Sequence, residues 1–327
     1  MKNFLCQLLR KSQKYTNTDN IYLAKGGFWL TLRQITSMAV AFLSAIAFAN
    51  LLDPATYGNY KYILSLVGIL AVFSLDGIRT AVTQATARGL EGSFYTGFKI
   101  KLKWGMLGSL AAMGLALYYW ITGNNFFFIP LIISAVFSPL MNASQIYDAY
   151  LSGKKLFNIQ VNYSIINQII STAAIITALF FTKNLFWLIA VYFFSNTSLD
   201  YFFYSLTKAR FRPNKKEDVK TIPHAKHLSL MSIINYLGTY LDKILLFNLA
   251  GPAQLAIYSF ATLIPEQIHN VVGNINTLAL PKLAPKTREE IKKNMMRKIW
   301  KLAYLTLVII VLYVVIAPYF FKIFYPQ

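Results

Sequence analysis

Three ionisable side chains lie inside long apolar runs, where charge is unusual: Arg33 within residues 27–52, and Asp76 and Arg79 within residues 60–87. An ionised side chain at the centre of a bilayer costs about 3 kcal/mol on insertion scales, so such residues normally face a protein interior or a wet cavity. A guanidinium there can bind phosphate oxygens through its planar fork of N–H groups. These residues are therefore candidates for a functional site.

The same residues also allow a purely structural interpretation. Asp76 and Arg79 are three positions apart and so lie on one side of a helix, where they could form an ion pair that only fixes helix packing. Arg33 has no acidic residue three or four positions away, so its partner is expected to come from another helix, from water or from a ligand. Both interpretations therefore remain for Asp76 and Arg79, whereas the lack of a nearby acidic residue on its own helix favours a substrate-binding role for Arg33.

Further ionisable residues lie in later apolar segments. Glu266 and His269 share one helical side, and the neighbouring Pro265 removes a backbone hydrogen bond, as in the broken helices of transporters. His269 also fits ordinary packing between helices. The complete set of candidate substrate-binding residues is Arg33, Asp76, Arg79, Asp200, Asp242, Lys243, Glu266 and His269.

The composition is that of a membrane protein. The 327 residues are 56% hydrophobic and only 13% charged, and a charged share of about 25% is usual in soluble domains. Apolar runs of about 20 residues or more indicate transmembrane helices. We predict an all-α polytopic membrane protein with nine spans, at residues 27–52, 60–87, 104–122, 126–151, 159–182, 185–206, 228–250, 252–280 and 302–321.

The basic residues indicate how the chain is oriented. Most of the 32 Lys and Arg precede the first span or follow an even-numbered span, whereas only Lys61, Lys183 and Lys322 lie on the opposite side. The positive-inside rule then places the N-terminus in the cytoplasm. Topology and anionic lipid headgroups account for the net charge of +20, so no nucleic-acid partner is expected.

Other features of the sequence argue against chemistry at the outer face. The turns predicted there are short, and the single cysteine, Cys6, lies on the cytoplasmic side. We predict no catalytic residue, metal site or cofactor. A polar stripe in the fifth span is typical of helix packing, with a cavity lining as the alternative; it comprises Gln160, Ser164, Asn167 and Ser171.

A weak internal repeat divides the chain. Asn50-Leu-Leu-Asp-Pro-Ala, followed by Tyr60, is echoed by Asn248-Leu-Ala-Gly-Pro-Ala, followed by Tyr258. Because both copies lie in an outer turn between an odd and an even span, the repeat predicts two lobes related by an axis along the membrane normal. The predicted regions are a basic N-terminal segment 1–26, a six-helix lobe 27–206, a basic linker 207–227 and an incomplete three-helix lobe 228–327.

Several motifs resemble a known family of flippases. They are Ala24-Lys-Gly-Gly-Phe-Trp, Phe48-Ala-Asn-Leu-Leu-Asp-Pro-Ala-Thr-Tyr-Gly-Asn-Tyr, Leu241-Asp-Lys-Ile-Leu-Leu and Gly251-Pro-Ala-Gln-Leu-Ala-Ile-Tyr. The chain resembles the polysaccharide-type, or O-antigen, flippases of the multidrug/oligosaccharidyl-lipid/polysaccharide exporter superfamily. The resemblance implies two six-helix lobes, alternating access, and transfer of an undecaprenyl-pyrophosphate-linked sugar repeat unit to the outer leaflet. Because the sequence stops after nine spans, we expect the second lobe to be truncated.

The expected substrate agrees with the charged residues. A pyrophosphate loses hydration in the membrane, and Arg33 is expected to be its principal contact, with Arg79 and Lys243 as weaker ones. The expected location is the bacterial inner (plasma) membrane. The expected partners are the lipid-linked oligosaccharide, membrane lipids, and a polysaccharide polymerase with its chain-length machinery.

Two other functions are alternatives to flipping. A cation-coupled multidrug exporter of the same superfamily would depend on the acidic residues instead of Arg33: Asp76, Asp200, Asp242 and Glu266. A membrane-embedded polymerase or ligase would be expected to carry a large outer loop with catalytic Arg or His, and the predicted outer turns contain neither. We therefore predict a transporter and not an enzyme.

Overall fold

The computed structural model describes residues 20–218 and 221–267, with Trp300 and Tyr304. Within these residues all regular secondary structure is helical. The α-helices are α1 (Asn20–Leu51), α2 (Pro54–Leu70), α3 (Gly77–Ala87), α4 (Ser93–Ile121), α5 (Asn125–Ser144), α6 (Ile146–Gly153), α7 (Phe157–Phe181), α8 (Leu185–Phe211), α9 (Thr221–Ala250) and α10 (Pro252–Ala261).

The chain divides into two compact units. The smaller unit comprises Met1–Gln34 and Ile264–Gln327, and the larger unit is Ile35–Leu263. Within the smaller unit, the side-chain amide of Gln34 donates to Oε1 of Gln267 over 3.2 Å. The contacts described below belong to the larger unit.

Several helices match membrane spans by length and composition. The described residues contain five such stretches, and a sixth if the bent pair Pro54–Ser74 and Gly77–Ala87 counts as one span. The predicted all-α polytopic class is confirmed. The predicted span 185–206 is helical as part of α8 but is not among these stretches, and residues 302–321 lie outside the described ranges apart from Tyr304. The count of nine, the lobes and the linker therefore stay predictions.

The second predicted span is broken, which corrects the single helix expected over residues 60–87. Helix α2 ends at Leu70, a 3₁₀ turn follows at Ala71–Ser74, and Leu75 has a left-handed backbone with φ +51°. Helices α2 and α3 are bent by 48° across this break. Asp76 and Arg79 therefore lie at the start of a new helix.

Two glycines allow neighbouring helices to reach the backbone at the break. A Cβ on Gly108 of α4 would lie 2.9 Å from the carbonyl oxygen of Leu70, and a Cβ on Gly77 would lie 2.5 Å from that of Ala225 in α9. The backbone N–H of Gly77 lacks a partner within its own helix and donates to Oγ of Ser229 over 3.0 Å. Packing against α4 and α9 thus supports the break, and hydropathy alone does not encode it.

A hydroxyl on α4 compensates for a proline in α5. Residue 139 is proline and cannot donate to the carbonyl of Ala135, four residues earlier. Oγ of Ser109 in α4 donates to that carbonyl instead. Gly105 lies beside Pro139, with 3.2 Å between its ideal Cβ and Cα of Pro139. The exchanged hydrogen bond and the small residue hold α4 close to α5.

The two copies of the repeat form similar corners. Asn50 and Asn248 each donate from Nδ2 to the carbonyl four residues earlier, in both cases over 2.8 Å. Pro54 and Pro252 begin the helices that follow. The corners also contact each other, because Gly58 lies against Pro252 and the rings of Tyr57 and Phe260 stack at 4.5 Å. The local motif is repeated, while the repeat of whole lobes stays a prediction.

We predict that Gly58→Ala weakens the contact between the corners. An added Cβ would lie 1.8 Å from the carbonyl oxygen of Pro252, so α2 and α10 must separate. Overpacking of this kind typically costs about 1–3 kcal/mol, and the thermal unfolding temperature in detergent should fall. The control is Gly114→Ala, whose Cβ meets nothing within 4 Å. Equal unfolding temperatures for the two variants would contradict this packing.

Candidate functional site

Four charged residues from different parts of the larger unit form two ion pairs. Nη2 of Arg79, in the first turn of α3, donates to Oδ2 of Asp148 in α6 over 2.9 Å. Nζ of Lys101, in α4, donates to Oδ1 of Asp76 over 3.4 Å. The pair expected between Asp76 and Arg79 is thus replaced by two pairs between elements. We call Asp76, Arg79, Lys101 and Asp148 the charge cluster.

The most buried member of the cluster is Lys101, although it lies between the predicted spans 60–87 and 104–122 and was expected in a basic loop. Its residue exposure is 1%, whereas Lys99 and Lys103 are exposed. Small residues are its nearest neighbours on the same helical side, with Gly97 and Gly105 one turn away in either direction. That spacing was the available signal, because a lysine in line with close-packed glycines must enter the protein. Its burial requires a counterion, which Asp76 supplies.

Asp200 lies next to the cluster and is bound by neutral groups. It is 2% exposed and accepts hydrogen bonds from Gln145 (3.1 Å), Asn167 (2.6 Å) and Tyr147 (3.5 Å). Arg79 and Asp148 are within electrostatic range of its carboxyl group. The predicted site residue Asp200 is therefore a buried carboxyl group, and its role in substrate binding stays a prediction.

The polar stripe on α7 is where two of these acids find their partners. Its four members are between 5% and 9% exposed, as the packing interpretation requires. Nε2 of Gln160 donates to Oδ1 of Asp148 over 3.0 Å, and Nδ2 of Asn167 donates to Asp200. The stripe thus holds the cluster in place as well as packing α7 against its neighbours.

Arg79 and Asp76 are the accessible members of the cluster. Their side chains are 34% and 39% exposed, compared with 14% for Asp148 and 2% for Lys101. Arg79 forms one hydrogen bond through its guanidinium group within the described part of the chain, which leaves further N–H donors for a ligand. Tyr236 of α9 lies within electrostatic range of both accessible groups.

A small cavity adjoins the broken span. It has a volume of about 20 Å³, which is enough for one water molecule. Hydroxyl and amide side chains line it together with Gly105 and Gly108; they are Ser74, Ser109, Ser138 and Asn142. Polar side chains therefore adjoin the break alongside apolar ones such as Val67, Leu70 and Ala112. One of the polar residues, Ser74, is two residues before Asp76 of the cluster.

The remaining predicted site residues are not among the four residues of the charge cluster. Asp242 accepts a hydrogen bond from the hydroxyl of Tyr258, and the ammonium of Lys243 lies 5.8 Å from the centre of the Tyr240 ring. Arg33 and Glu266 belong to the smaller unit, and His269 lies outside the described residues. Among the residues that the structure describes, no group of three or more His, Cys, Asp or Glu could hold a metal ion.

Comparison with known proteins identifies the family. A family model described as polysaccharide biosynthesis protein matches residues 23–284, which include the charge cluster and both corners. The chain belongs to the polysaccharide biosynthesis protein family. Neither the curated proteins nor the solved structures contain a match. Family and apolar helices together indicate a multi-pass membrane protein that serves transport in polysaccharide biosynthesis.

For this polysaccharide biosynthesis protein we predict that Asp76→Asn destabilises the fold through Lys101. The change leaves a buried ammonium without its counterion, which costs up to about 3 kcal/mol of unfolding free energy. The double variant Asp76→Asn with Lys101→Met should recover most of the loss, because no charge is then buried alone. Thermal unfolding in detergent measures both, with Lys99→Met as the exposed control. A double variant no more stable than Asp76→Asn would contradict the pairing.

Proposed function

We propose that the protein flips an undecaprenyl-pyrophosphate-linked oligosaccharide repeat unit from the cytoplasmic to the outer leaflet by alternating access. The unit would be used for a surface polysaccharide such as O-antigen, capsule or exopolysaccharide. The observation that carries the proposal is Arg79: a partly exposed guanidinium within a broken apolar span of a polysaccharide biosynthesis protein. Flipping needs no covalent chemistry and no cofactor.

The physical problem in flipping is the charged headgroup. A pyrophosphate that leaves water loses hydration worth several kcal/mol per charge unless fixed partners replace it. Arginine binds phosphate oxygens in a fork of N–H groups, and the bond to Asp148 fixes the orientation of Arg79. Lys101 adds positive charge behind Asp76 without contacting the substrate. The prenyl chain can remain in lipid while the headgroup passes.

Arg33 remains our predicted principal contact of the pyrophosphate, and Arg79 remains a predicted weaker one. Arg33 belongs to the smaller unit and is half-buried, whereas Arg79 belongs to the larger unit. We place the basic loops at the cytoplasmic face of the plasma membrane, where the lipid-linked precursor would enter. The oligosaccharide would then pass to a polymerase and its chain-length machinery on the other side.

One observation favours the alternative of a cation-coupled multidrug exporter. Asp200 is buried and bound by neutral donors, so its carboxyl group could take up a proton without breaking an ion pair. An exporter of this kind would lose drug efflux on Asp200→Asn and tolerate Arg79→Ala. A flippase would instead depend on the guanidinium groups.

We predict that Arg79→Ala and Arg33→Ala each abolish transport while the protein still reaches the membrane. The lysine variants should retain partial transport, because lysine keeps the charge but loses the bidentate fork. The measurement is surface-polysaccharide display in a flippase-deficient host, and Lys99→Ala is the control for loss of a basic residue. If Arg79 only balances Asp148, the double variant Arg79→Ala with Asp148→Ala restores display, and the binding role is wrong.

Alternating access also predicts that the contact between the corners opens during transport. In a Cys6→Ser background, Tyr57→Cys and Phe260→Cys replace two rings stacked at 4.5 Å. Cross-linking this pair with a short bifunctional thiol reagent should stop transport, and reduction should restore it. Each single cysteine with the same reagent serves as control. Normal display from the cross-linked protein would exclude opening at this contact.

A further inference from the structure

The segment 212–218, which leaves α8 and leads towards α9, lies against the loop between α3 and α4. We call this segment the strap. The backbone N–H of Gly92 donates to the carbonyl of Lys216 over 2.8 Å, and Nδ2 of Asn214 donates to the carbonyl of Gly89 over 3.0 Å. The hydroxyl of Tyr95 donates to the carbonyl of Pro213 over 3.4 Å. Backbone groups of the strap are thus satisfied by residues 89–95.

A buried carboxylate is at the centre of this contact. Glu91 is 8% exposed and forms an ion pair with Lys154. It also accepts hydrogen bonds from the hydroxyl of Tyr150 over 3.1 Å and from the backbone N–H of Asn214 over 3.3 Å. Glu91 therefore connects three parts of the chain: the loop after α3, the end of α6 with the start of the next connection, and the strap.

The electrostatic environment keeps Glu91 ionised. Burial raises the pKa of Glu91, but the hydrogen bonds from Lys154 and from the Asn214 N–H together lower it by more. The pKa of Glu91 therefore lies below the usual value for glutamate. Because the pKa of Glu91 is lower in the folded protein, its ionised form stabilises the fold. This stabilisation is fully present above the pKa that Glu91 has in the unfolded chain, and it is lost as the pH falls through the pKa of Glu91 in the folded protein. At neutral pH the contact is complete.

Shape restricts the strap as much as charge does. A Cβ on Gly92 would lie 2.8 Å from the carbonyl carbon and oxygen of Lys215, so the two backbones meet only because residue 92 is glycine. At the end of the strap, Arg88 forms an ion pair with Asp218, whose backbone N–H donates to Oγ of Ser93 over 3.4 Å. The strap is therefore held along its whole length.

We propose that Glu91 is a positioning residue that anchors the strap to the α3–α4 loop throughout transport, so that α9 moves only beyond Asp218. Helix α9 begins at Thr221, soon after the strap, and its Ser229 supports the broken span at Gly77. By fixing where α9 starts, Glu91 fixes the register in which α9 meets the break. This inference rests on the proposed transport function for its effect on activity, but not for the anchoring itself.

The first experiment tests whether the anchor stays closed. In a Cys6→Ser background, Ser93→Cys and Asp218→Cys can be oxidised to a disulfide across the contact. We expect the disulfide to form readily in membranes and polysaccharide display to be retained, in contrast to the cross-link between residues 57 and 260. Loss of display on oxidation, with recovery on reduction, would show a latch that must release and would overturn a permanent anchor. Failure of the disulfide to form would show that the strap is not docked.

The second experiment tests the role of Glu91 without any transport assay. Glu91→Gln removes the charge that Lys154 and the strap share, and the labelling rate of a cysteine at position 218 should rise roughly tenfold, the effect of losing a charged hydrogen bond. Glu217→Gln, an exposed glutamate of the strap, is the matched control and should leave the rate unchanged. The charge exchange Glu91→Lys with Lys154→Glu should not restore slow labelling, because a lysine at position 91 cannot accept the hydrogen bond from the Asn214 N–H.

A reference cysteine separates positioning from general loss of stability. Ile121 lies at the far end of α4 and is 77% exposed. A cysteine in its place should therefore be labelled at the same rate in all variants. An unchanged labelling rate at position 218 in Glu91→Gln would refute the anchoring role. It would also be refuted if Glu91→Gln raised the labelling rate equally at a buried position, such as a cysteine in place of Ala116. Because labelling needs no substrate, a wild-type protein inactive in display would count against the proposed function only.

Discussion

The structure depends on one constraint: backbone polar groups within a membrane must find partners inside the protein. The second predicted span is interrupted at residues 71–76, where the regular hydrogen bonds of an α-helix are missing. Neighbouring helices compensate for this interruption. Ser229 accepts the N–H of Gly77, and Gly108 admits the carbonyl of Leu70. The same rule explains why Ser109 binds the carbonyl that Pro139 leaves unpaired. The break at residues 71–76 and Pro139 therefore help to position α4 and α9.

The charge cluster lies directly after that break. Asp76 and Arg79 remain one turn apart at the start of α3, where the N–H of Arg79 donates to the carbonyl of Asp76 over 3.0 Å. The side chain of each nevertheless pairs with a residue on another element. The exchange of partners ties α3 to both α4 and α6. It also leaves the guanidinium of Arg79 partly accessible, which a local pair would not require.

The sequence predicted the class of the protein and several of its parts, because hydropathy and spacing are local properties. Asn50 and Asn248 were matched from sequence, and they make equivalent hydrogen bonds. The burial of Lys101 was missed, because three alternate lysines resemble a loop and only the glycines one turn away indicate otherwise. The break at Leu75 was also missed, since the groups that support it come from α4 and α9. Partners contributed by distant helices cannot be read from a local pattern.

The depth of Lys101 in its helix has a consequence for direction. Helix α4 starts at Ser93, so Lys101 lies about 12 Å along an element that extends over about 43 Å. Asp148 likewise lies close to the end of its apolar stretch, which finishes at Gly153. Arg79 and Lys101 are each about 12 Å from the end of their helix that adjoins residues 88–92, whereas Asp242 and Lys243 lie near the opposite corner at Gly251. A headgroup that passes along these helices would therefore meet charged groups near both ends, and the paired, more buried ones lie nearer residues 88–92.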